Sequence, residues 1–287
     1  MLFLIGLSIV VGSVLGGYTM HGGEVALLWQ PSEYIIIIGS GIGAAIIGNS
    51  TDDLKLLLKS FGNLFKSKPK SKADYLELLS FSFNVFKLMK VKGMLEIESH
   101  IENPNESELF NNSPSILKDH HACDLMRDYL RMMTMGVDNP HQFENLIERE
   151  LELMDEELAV PGKIMTNIGD SLPALGIVAA VLGVIITMRS VTEPPEILGS
   201  LIAAALVGTF TGVLFAYGVF LPIGSSLKHF GMRKGMYFYC MKAGLISHIN
   251  GNAPVVTVEF MRKNIPEELR PSFNEADEYI NSKAKIG

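Results

Sequence analysis

The sequence contains few charged residues. Only 19% of its 287 residues are charged, whereas soluble domains usually carry about 25%. Four stretches of 17 to 24 residues contain no Asp, Glu, Lys, Arg or His: residues 2–20, 34–50, 171–188 and 198–221. At about 1.5 Å per residue, each stretch crosses or nearly crosses a hydrocarbon core of about 30 Å. The composition therefore argues against an ordinary soluble protein and predicts four membrane helices.

The sequence also has few cysteines and no net positive charge. Cys123 and Cys240 are the two cysteines, which argues against a secreted disulfide scaffold. The net charge of −7 gives no support to nucleic-acid binding. The first apolar stretch has no basic residues before it and no clean cleavage site after it. We therefore expect a retained helix rather than a signal peptide.

The basic residues are distributed unevenly between the predicted loops. Residues 21–33 contain no Lys or Arg and residues 189–197 contain one, whereas residues 51–167 contain 14 and residues 222–287 contain nine. Because basic loops face the cytoplasm, both termini and both cysteines are expected inside, with the cysteines reduced. The predicted domains are two membrane helices (1–50), a cytoplasmic helical domain (51–167), two more membrane helices (168–222) and a cytoplasmic helical segment and tail (223–287).

The pattern of the large loop predicts an all-α protein. Two helices are expected over Tyr75–Ile101, broken by Gly93, and over Ile116–Met135. Asn139 followed by Pro140 predicts the start of a third helix, which Pro161-Gly162 is expected to end before the third membrane helix. Residues 274–287 are polar and expected to fray. The apolar stripe of the third helix is Phe143, Leu146, Ile147, Leu151, Met154 and Leu158.

The predicted spans contain no titratable carboxylate, histidine or basic residue. A protein that relays protons alone normally needs an ionisable group inside the membrane. Either this chain moves no ions, or a partner supplies the titrating carboxylate.

Glycine, threonine and proline are the features of the spans that allow a functional interpretation. Glycines four residues apart permit close helix contact, either within one subunit or between subunits. Thr187, Thr209 and Thr211 can bond to backbone carbonyls or line a wet seam together with Tyr217. Pro173 starts its helix or forms a hinge, and Pro222 removes a backbone N–H near the end of the fourth helix. The glycine pairs are Gly12/Gly16, Gly39/Gly43 and Gly208/Gly212.

Several motifs resemble those of the MotA family, the four-helix membrane subunits of bacterial flagellar stators within the MotA/TolQ/ExbB proton channel family. The run from Gly169 to Val184 resembles the third membrane helix of that family. Ala205 to Gly212, followed by Pro222, resembles the fourth. Smaller matches are Gly16-Gly17-Tyr18, Gly22-Gly23, Ile101-Glu102-Asn103-Pro104 and Arg270-Pro271-Ser272-Phe273.

The resemblance implies a pentameric ring around two copies of MotB in the bacterial inner membrane. MotB would supply the channel Asp and a peptidoglycan anchor, and the rotor switch protein FliG would be the second partner. By the same resemblance, Pro173, Pro222, Thr209, Ala180 and Asp170 belong to the ion channel and its conformational coupling. Lys90 and Glu98 would face the rotor. Lys90 departs from the arginine of close relatives, which keeps the positive charge but loses the bidentate geometry of a guanidinium.

The same comparison favours a proton as the coupling ion. Sodium-driven relatives carry threonines at the positions of Ala180 and Gly208, and neither residue offers a side-chain oxygen here. One alternative is an energy transducer of the ExbB or TolQ type, although such proteins usually have three membrane helices. Another is a non-conducting membrane scaffold. An enzyme, a cofactor or a metal site is not expected, since His120, His121 and His141 lack ordered ligand spacing.

Overall fold

The computed structural model describes residues 2–66, 70–137 and 139–283, and these residues form helices and turns only. This confirms the predicted all-α fold. Two π-helical segments, Ile35–Gly39 and Ala216–Phe220, interrupt the second and fourth membrane helices. Short 3-10 helices cover Val25–Leu28, Met94–Ile97 and Glu267–Leu269. The α-helices are α1 (Leu2–Met20), α2 (Pro31–Tyr34), α3 (Ser40–Gly48), α4 (Thr51–Lys66), α5 (Lys72–Lys92), α6 (Glu98–Glu102), α7 (Glu108–Asn111), α8 (Pro114–Leu117), α9 (His120–Thr134), α10 (Pro140–Met188), α11 (Pro195–Phe215), α12 (Leu221–Ile249), α13 (Pro254–Lys263) and α14 (Phe273–Lys283).

Four helical segments in the described chain are long and apolar enough to cross a membrane, which confirms the predicted number. Their bounds are Phe3–Met20, Val25–Gly48, Pro140–Met188 and Pro195–Ile249. The last two exceed the length that a bilayer needs, because 49 residues of α-helix extend about 74 Å. The second begins before the charge-free stretch from which it was predicted, so it includes Glu33.

The membrane helices belong to one compact unit, which comprises the chain up to Lys66 together with Ala159–His229. Its apolar core draws on α10, α12 and the second membrane helix. Leu57 and Phe61 of α4 pack against this core. The buried members are Ile37, Ile164, Met165, Ile168, Leu172, Ala179, Ala216, Ile223 and Leu227.

The second unit comprises Ser67–Leu158 and the chain from Phe230 onward, and it has its own core built around α5, α9 and α12. Helix α5 begins at a capping box in which the Ser71 side chain accepts from the backbone of Asp74 and the Asp74 side chain bonds back. It ends at Gly93, whose φ of +94° favours glycine, so the predicted break is confirmed. Free Cys123 and Cys240 are buried here.

Two expectations for the helices of the second unit need correction. The helix predicted over Ile116–Met135 is split, because Asp119 caps a new helix by accepting from the N–H of Ala122. Leu146 is 48% exposed rather than part of the apolar stripe, since the buried residues follow an i, i+4, i+8 pattern at Phe143, Ile147 and Leu151.

The polar tail is also more ordered than its composition suggests. Helix α14 covers Phe273–Lys283 and buries Ala276 and Ile280. Glu275 forms an ion pair with Lys72 at 2.7 Å, which ties this helix to the start of α5. Residues 284–287, the last part of the predicted frayed tail, lie outside the described residues.

Pro161 does not end a helix. Helix α10 runs without interruption from Pro140 to Met188. Its predicted start is confirmed, since the Asn139 side-chain oxygen accepts from the N–H of His141 at 3.1 Å. A proline inside a helix costs about 3 kcal/mol, but each fully buried Ile or Met side chain contributes about 1.5–3 kcal/mol. Ile164, Met165 and Ile168 continue the buried face just beyond Pro161, which outweighs the proline.

Candidate functional site

Helices α10 and α11 approach each other through glycine. A Cβ added to Gly176 would lie 2.8 Å from the carbonyl oxygen of Gly208, and one on Gly212 would lie 2.5 Å from that of Leu172. These distances are well below an ordinary van der Waals contact, so the two backbones touch where side chains are absent. The Gly208/Gly212 pair therefore packs within one subunit. In contrast, a Cβ on any glycine of the pairs Gly12/Gly16 and Gly39/Gly43 would meet none of the described residues within 4 Å.

Both prolines predicted for the channel lie inside helical segments. Pro173 is in the interior of α10, not at a helix start, so it leaves the carbonyl of Gly169 without its usual helical donor. Pro222 is the second residue of α12, which follows the π-helical segment Ala216–Phe220 directly. The run Pro195–Ile249 is nevertheless one continuous helical span. Proline and π-helical turns are recurrent causes of helix bends, so each of the two spans carries a candidate bending point.

Thr209 and Ala180 lie on the two sides of this helix contact. Thr209 is half-buried, and its Cα would be 3.3 Å from a Cβ at Gly176. The backbone nitrogen of Ala180 would be 3.2 Å from a Cβ at Gly208. The structure therefore brings these two predicted residues to one place. Asp170 is exposed and lies about three turns before Ala180 along α10.

The polar residues of the two spans differ in their surroundings. The hydroxyl of Thr187 donates to the carbonyl of Gly183 at 2.9 Å, four residues earlier. This bond satisfies the hydroxyl within its own helix. Of the two interpretations of the threonines, a bond to a backbone carbonyl therefore applies to Thr187. Thr211 is buried, whereas Tyr217 in the π-helical segment is exposed.

Sequence reasoning missed Glu33, which lies inside the second membrane helix. Pro31 occupies the first turn of α2, so Glu33 is already helical. Its side chain is only 7% exposed, and Oε2 has no hydrogen-bond partner among the described residues. A Cβ on Gly208 would come within 2.5 Å of that oxygen. The expectation that the spans hold no carboxylate is thus wrong, and Gln30-Pro31 as a helix-start signal was the clue.

Lys90 and Glu98 lie on the surface of the second unit. Lys90 is in the last turn of α5, and Glu98 begins α6 after the turn at Gly93. Both side chains are exposed. Val91 and Leu95 between them are 73% and 75% exposed, so the segment offers apolar surface beside its charges.

Two family models match the chain. The model described as Motility protein A N-terminal matches residues 4–93, and that of the MotA/TolQ/ExbB proton channel family matches residues 118–237. Motility protein A of Escherichia coli is 42% identical over 98% of this chain and 96% of that protein. Chemotaxis protein LafT of Vibrio parahaemolyticus is 32% identical over 96% and 97%.

Solved structures share the fold. The C. jejuni MotAB structure matches with a TM-score of 0.75 at 20% identity, covering 94% of this chain and 98% of that chain. The flagellar MotAB stator complex from Bacillus subtilis matches with a TM-score of 0.71 at 24% identity, covering 92% and 96%. Because the full-length relatives are motility proteins, the ExbB or TolQ alternative is not favoured. The chain belongs to the motility protein A family, the flagellar stator subunits of the MotA/TolQ/ExbB proton channel family.

Proposed function

We propose that copies of this chain form a ring, a pentamer around two MotB chains, that passes protons and drives the flagellar rotor. The observation that carries the proposal is the glycine contact between α10 and α11, which holds Thr209 and Ala180 together beside two helices with internal prolines. The solved structures that share the fold are MotAB assemblies, which supports the MotB partner.

The energy source is the ion gradient across the inner membrane. A charge that crosses about 100 mV releases about 2.3 kcal/mol. A proton that neutralises the MotB carboxylate removes the large cost of a charge in apolar surroundings. The neutral carboxyl can then pass a neighbouring subunit, and Pro173 and Pro222 let the two long helices bend as the ring steps.

The proton, rather than sodium, is the proposed ion. A dehydrated sodium ion needs oxygen atoms to replace its hydration shell. Ala180 and Gly208 offer no side-chain oxygen at the α10–α11 contact, so the Glu33 carboxylate beside Gly208 supplies too few oxygen atoms on its own to replace that shell. A proton needs only one acceptor at a time, which this contact can provide.

The proposed orientation places both termini and the second unit in the cytoplasm. The positive-inside rule supports it, because the basic residues are concentrated in residues 51–167 and 222–287. The predicted cytoplasmic domain then includes α5 to α9 and the start of α10. The segments 21–33 and 189–197 lie toward the periplasm, except that Glu33, the last residue of the first segment, is already helical and reaches the α10–α11 contact.

Lys90 and Glu98 are the proposed contacts with FliG. Their exposure on either side of the Gly93 turn supports this role. Single exposed ion pairs contribute about 0–1 kcal/mol, which suits contacts that form and break at each step. The exposed Val91 and Leu95 would add apolar contact area.

Proton flux is the test of the channel. The chain is coexpressed with its MotB partner, and cytoplasmic acidification is followed after an outward-to-inward proton gradient is imposed. We expect influx that is independent of external sodium. Absence of influx in cells that contain both proteins would support the scaffold alternative, and strong dependence on sodium would overturn the assignment of the ion.

Charge reversal tests the rotor surface. Lys90→Glu combined with Glu98→Lys is expected to abolish swimming while proton influx persists. Lys263→Glu is the matched control, because Lys263 is also an exposed lysine of the second unit but lies on α13. Swimming at the normal speed in the double variant would show that these residues are not needed at the rotor.

A further inference from the structure

Glu33 is a buried carboxylate for which the proposed mechanism has no role so far. Its side chain is 7% exposed, and Oε2 lacks a hydrogen-bond partner among the described residues. Leaving a charged carboxylate without a partner in an apolar interior costs far more than leaving a neutral carboxyl there. The position therefore disfavours an acid that stays permanently charged.

In the part of the chain that the structure describes, the elements around Glu33 offer no fixed counter-charge. Helix α11 has no titratable side chain between Glu196 and Tyr217, and α10 has none between Asp170 and Arg189. The turn Val25–Leu28 carries none, although Glu24 precedes it, and Tyr18 and His21 lie at the end of α1 and just after it. On the same helix as Glu33, the Tyr34 hydroxyl is engaged, since it donates to the carbonyl of Leu28 at 2.6 Å.

The shape of the site depends on the absence of a side chain at Gly208. A Cβ there would come within 2.5 Å of Glu33 Oε2 and within 3.2 Å of the Ala180 nitrogen. The carboxylate thus occupies the place of the missing Cβ, at the contact that also holds Ala180. Glycine at 208 is what allows an acid from the second membrane helix to reach the seam between α10 and α11.

Glu33 also lies at membrane depth. Gly208 is 13 residues beyond Pro195, the first residue of α11, or about 20 Å along the axis. Ala180 is eight residues before Met188, the end of α10, or about 12 Å. Although Glu33 is near the start of its own helix, it is therefore well inside the ends of α10 and α11.

We propose that Glu33 is a proton-binding site of the ion path, placed between the periplasmic side and the carboxylate of the partner. A hydronium ion gives its proton to Glu33 and leaves as water, forming a neutral carboxyl. That carboxyl then releases the proton to the next acceptor and returns to the carboxylate. This inference rests on the proposed channel function, but it is tested separately from it.

The experiment compares Glu33→Gln, Glu33→Asp and wild type, each coexpressed with MotB, at matched amounts in the membrane. Proton influx is measured from mildly acidic to mildly alkaline external pH. We expect Glu33→Gln to lose about ten-fold or more at alkaline pH, where protons are scarce, and less at acidic pH. Glu33→Asp keeps an acid and should retain the wild-type pH profile in part. Glu24→Gln is the matched control, because Glu24 is an exposed carboxylate nearby.

The outcomes separate this inference from the channel itself. Absence of influx in wild type would overturn the proposed function. Normal wild-type influx with the same pH profile in Glu33→Gln and Glu24→Gln would overturn only the role of Glu33.

If Glu33→Gln does not accumulate in the membrane, infrared spectroscopy of the purified wild-type and Glu33→Asp assemblies tests whether Glu33 binds and releases a proton. A carboxyl C=O band that titrates with pH and shifts in frequency on Glu33→Asp supports the site. A titration spectrum unchanged by that substitution would refute it.

Discussion

Replacing Gly212 by alanine adds one methyl group at the tightest point of the α10–α11 contact. The new Cβ would lie 2.5 Å from the carbonyl oxygen of Leu172 and 3.0 Å from the Cα of Gly176. Ordinary contacts begin at 3.4 Å, so the helices must separate by roughly 1 Å. Both obstructing atoms belong to backbone and cannot rotate away. Overpacking of this kind costs about 1–3 kcal/mol.

The matched control lies on the same helix. A Cβ on Gly199 would meet no atom of the residues that the structure describes within 4 Å, so Gly199→Ala adds the same methyl group without a clash. Alanine favours a helix over glycine by up to about 1 kcal/mol, so the control should be neutral or slightly stabilising. The difference between the two variants isolates the helix contact from the general effect of removing a glycine.

Thermal unfolding of the detergent-solubilised chain, followed by circular dichroism, measures this difference. We expect Gly212→Ala to unfold several degrees below Gly199→Ala, and to show reduced proton influx because the seam widens. Equal unfolding temperatures for the two variants would show that the α10–α11 backbones are not in contact, and would remove the geometric basis of the site.

Three further predictions follow from the described contacts. Pro173→Ala and Pro222→Ala each restore a backbone N–H that can donate within the helix. Each variant should accumulate normally in the membrane but swim much more slowly. A normal swimming speed in either variant would show that its proline is not needed for coupling. Gly93→Ala forces a β-carbon into a backbone region that costs about 1–3 kcal/mol, and chemical denaturation should show the loss of stability. The ion pair with Lys72 and the backbone N–H of Ser272 hold the pKa of Glu275 at about 2, below its ordinary value of 4.5. Since the pKa of Glu275 is lower in the folded protein, the stabilising contribution of this carboxylate is present above about pH 4.5 and is lost as the pH falls toward about 2. The unfolding temperature of Glu275→Gln should therefore change less with pH between these values than that of wild type.

The sequence alone determined the class of the molecule. Long stretches without charge can be stable only in lipid or a large core, so composition was enough to predict four membrane helices. Local capping rules were enough for the start at Pro140 and the break at Gly93, because these depend on a few neighbouring residues. The motifs around Pro173 and Gly208 were enough to indicate the family.

Tertiary packing decided what local rules could not. The composition predicts that Glu33 lies in a loop. In the structure, the absence of a side chain at Gly208 allows the Glu33 carboxylate to enter the α10–α11 seam. Pro161 reads as a helix end, yet the buried face beyond it outweighs the local cost of about 3 kcal/mol. Leu146 fits a helical stripe but lies on the exposed side. In each case the result depends on which elements far apart in sequence pack against the residue, and local sequence rules do not contain that information.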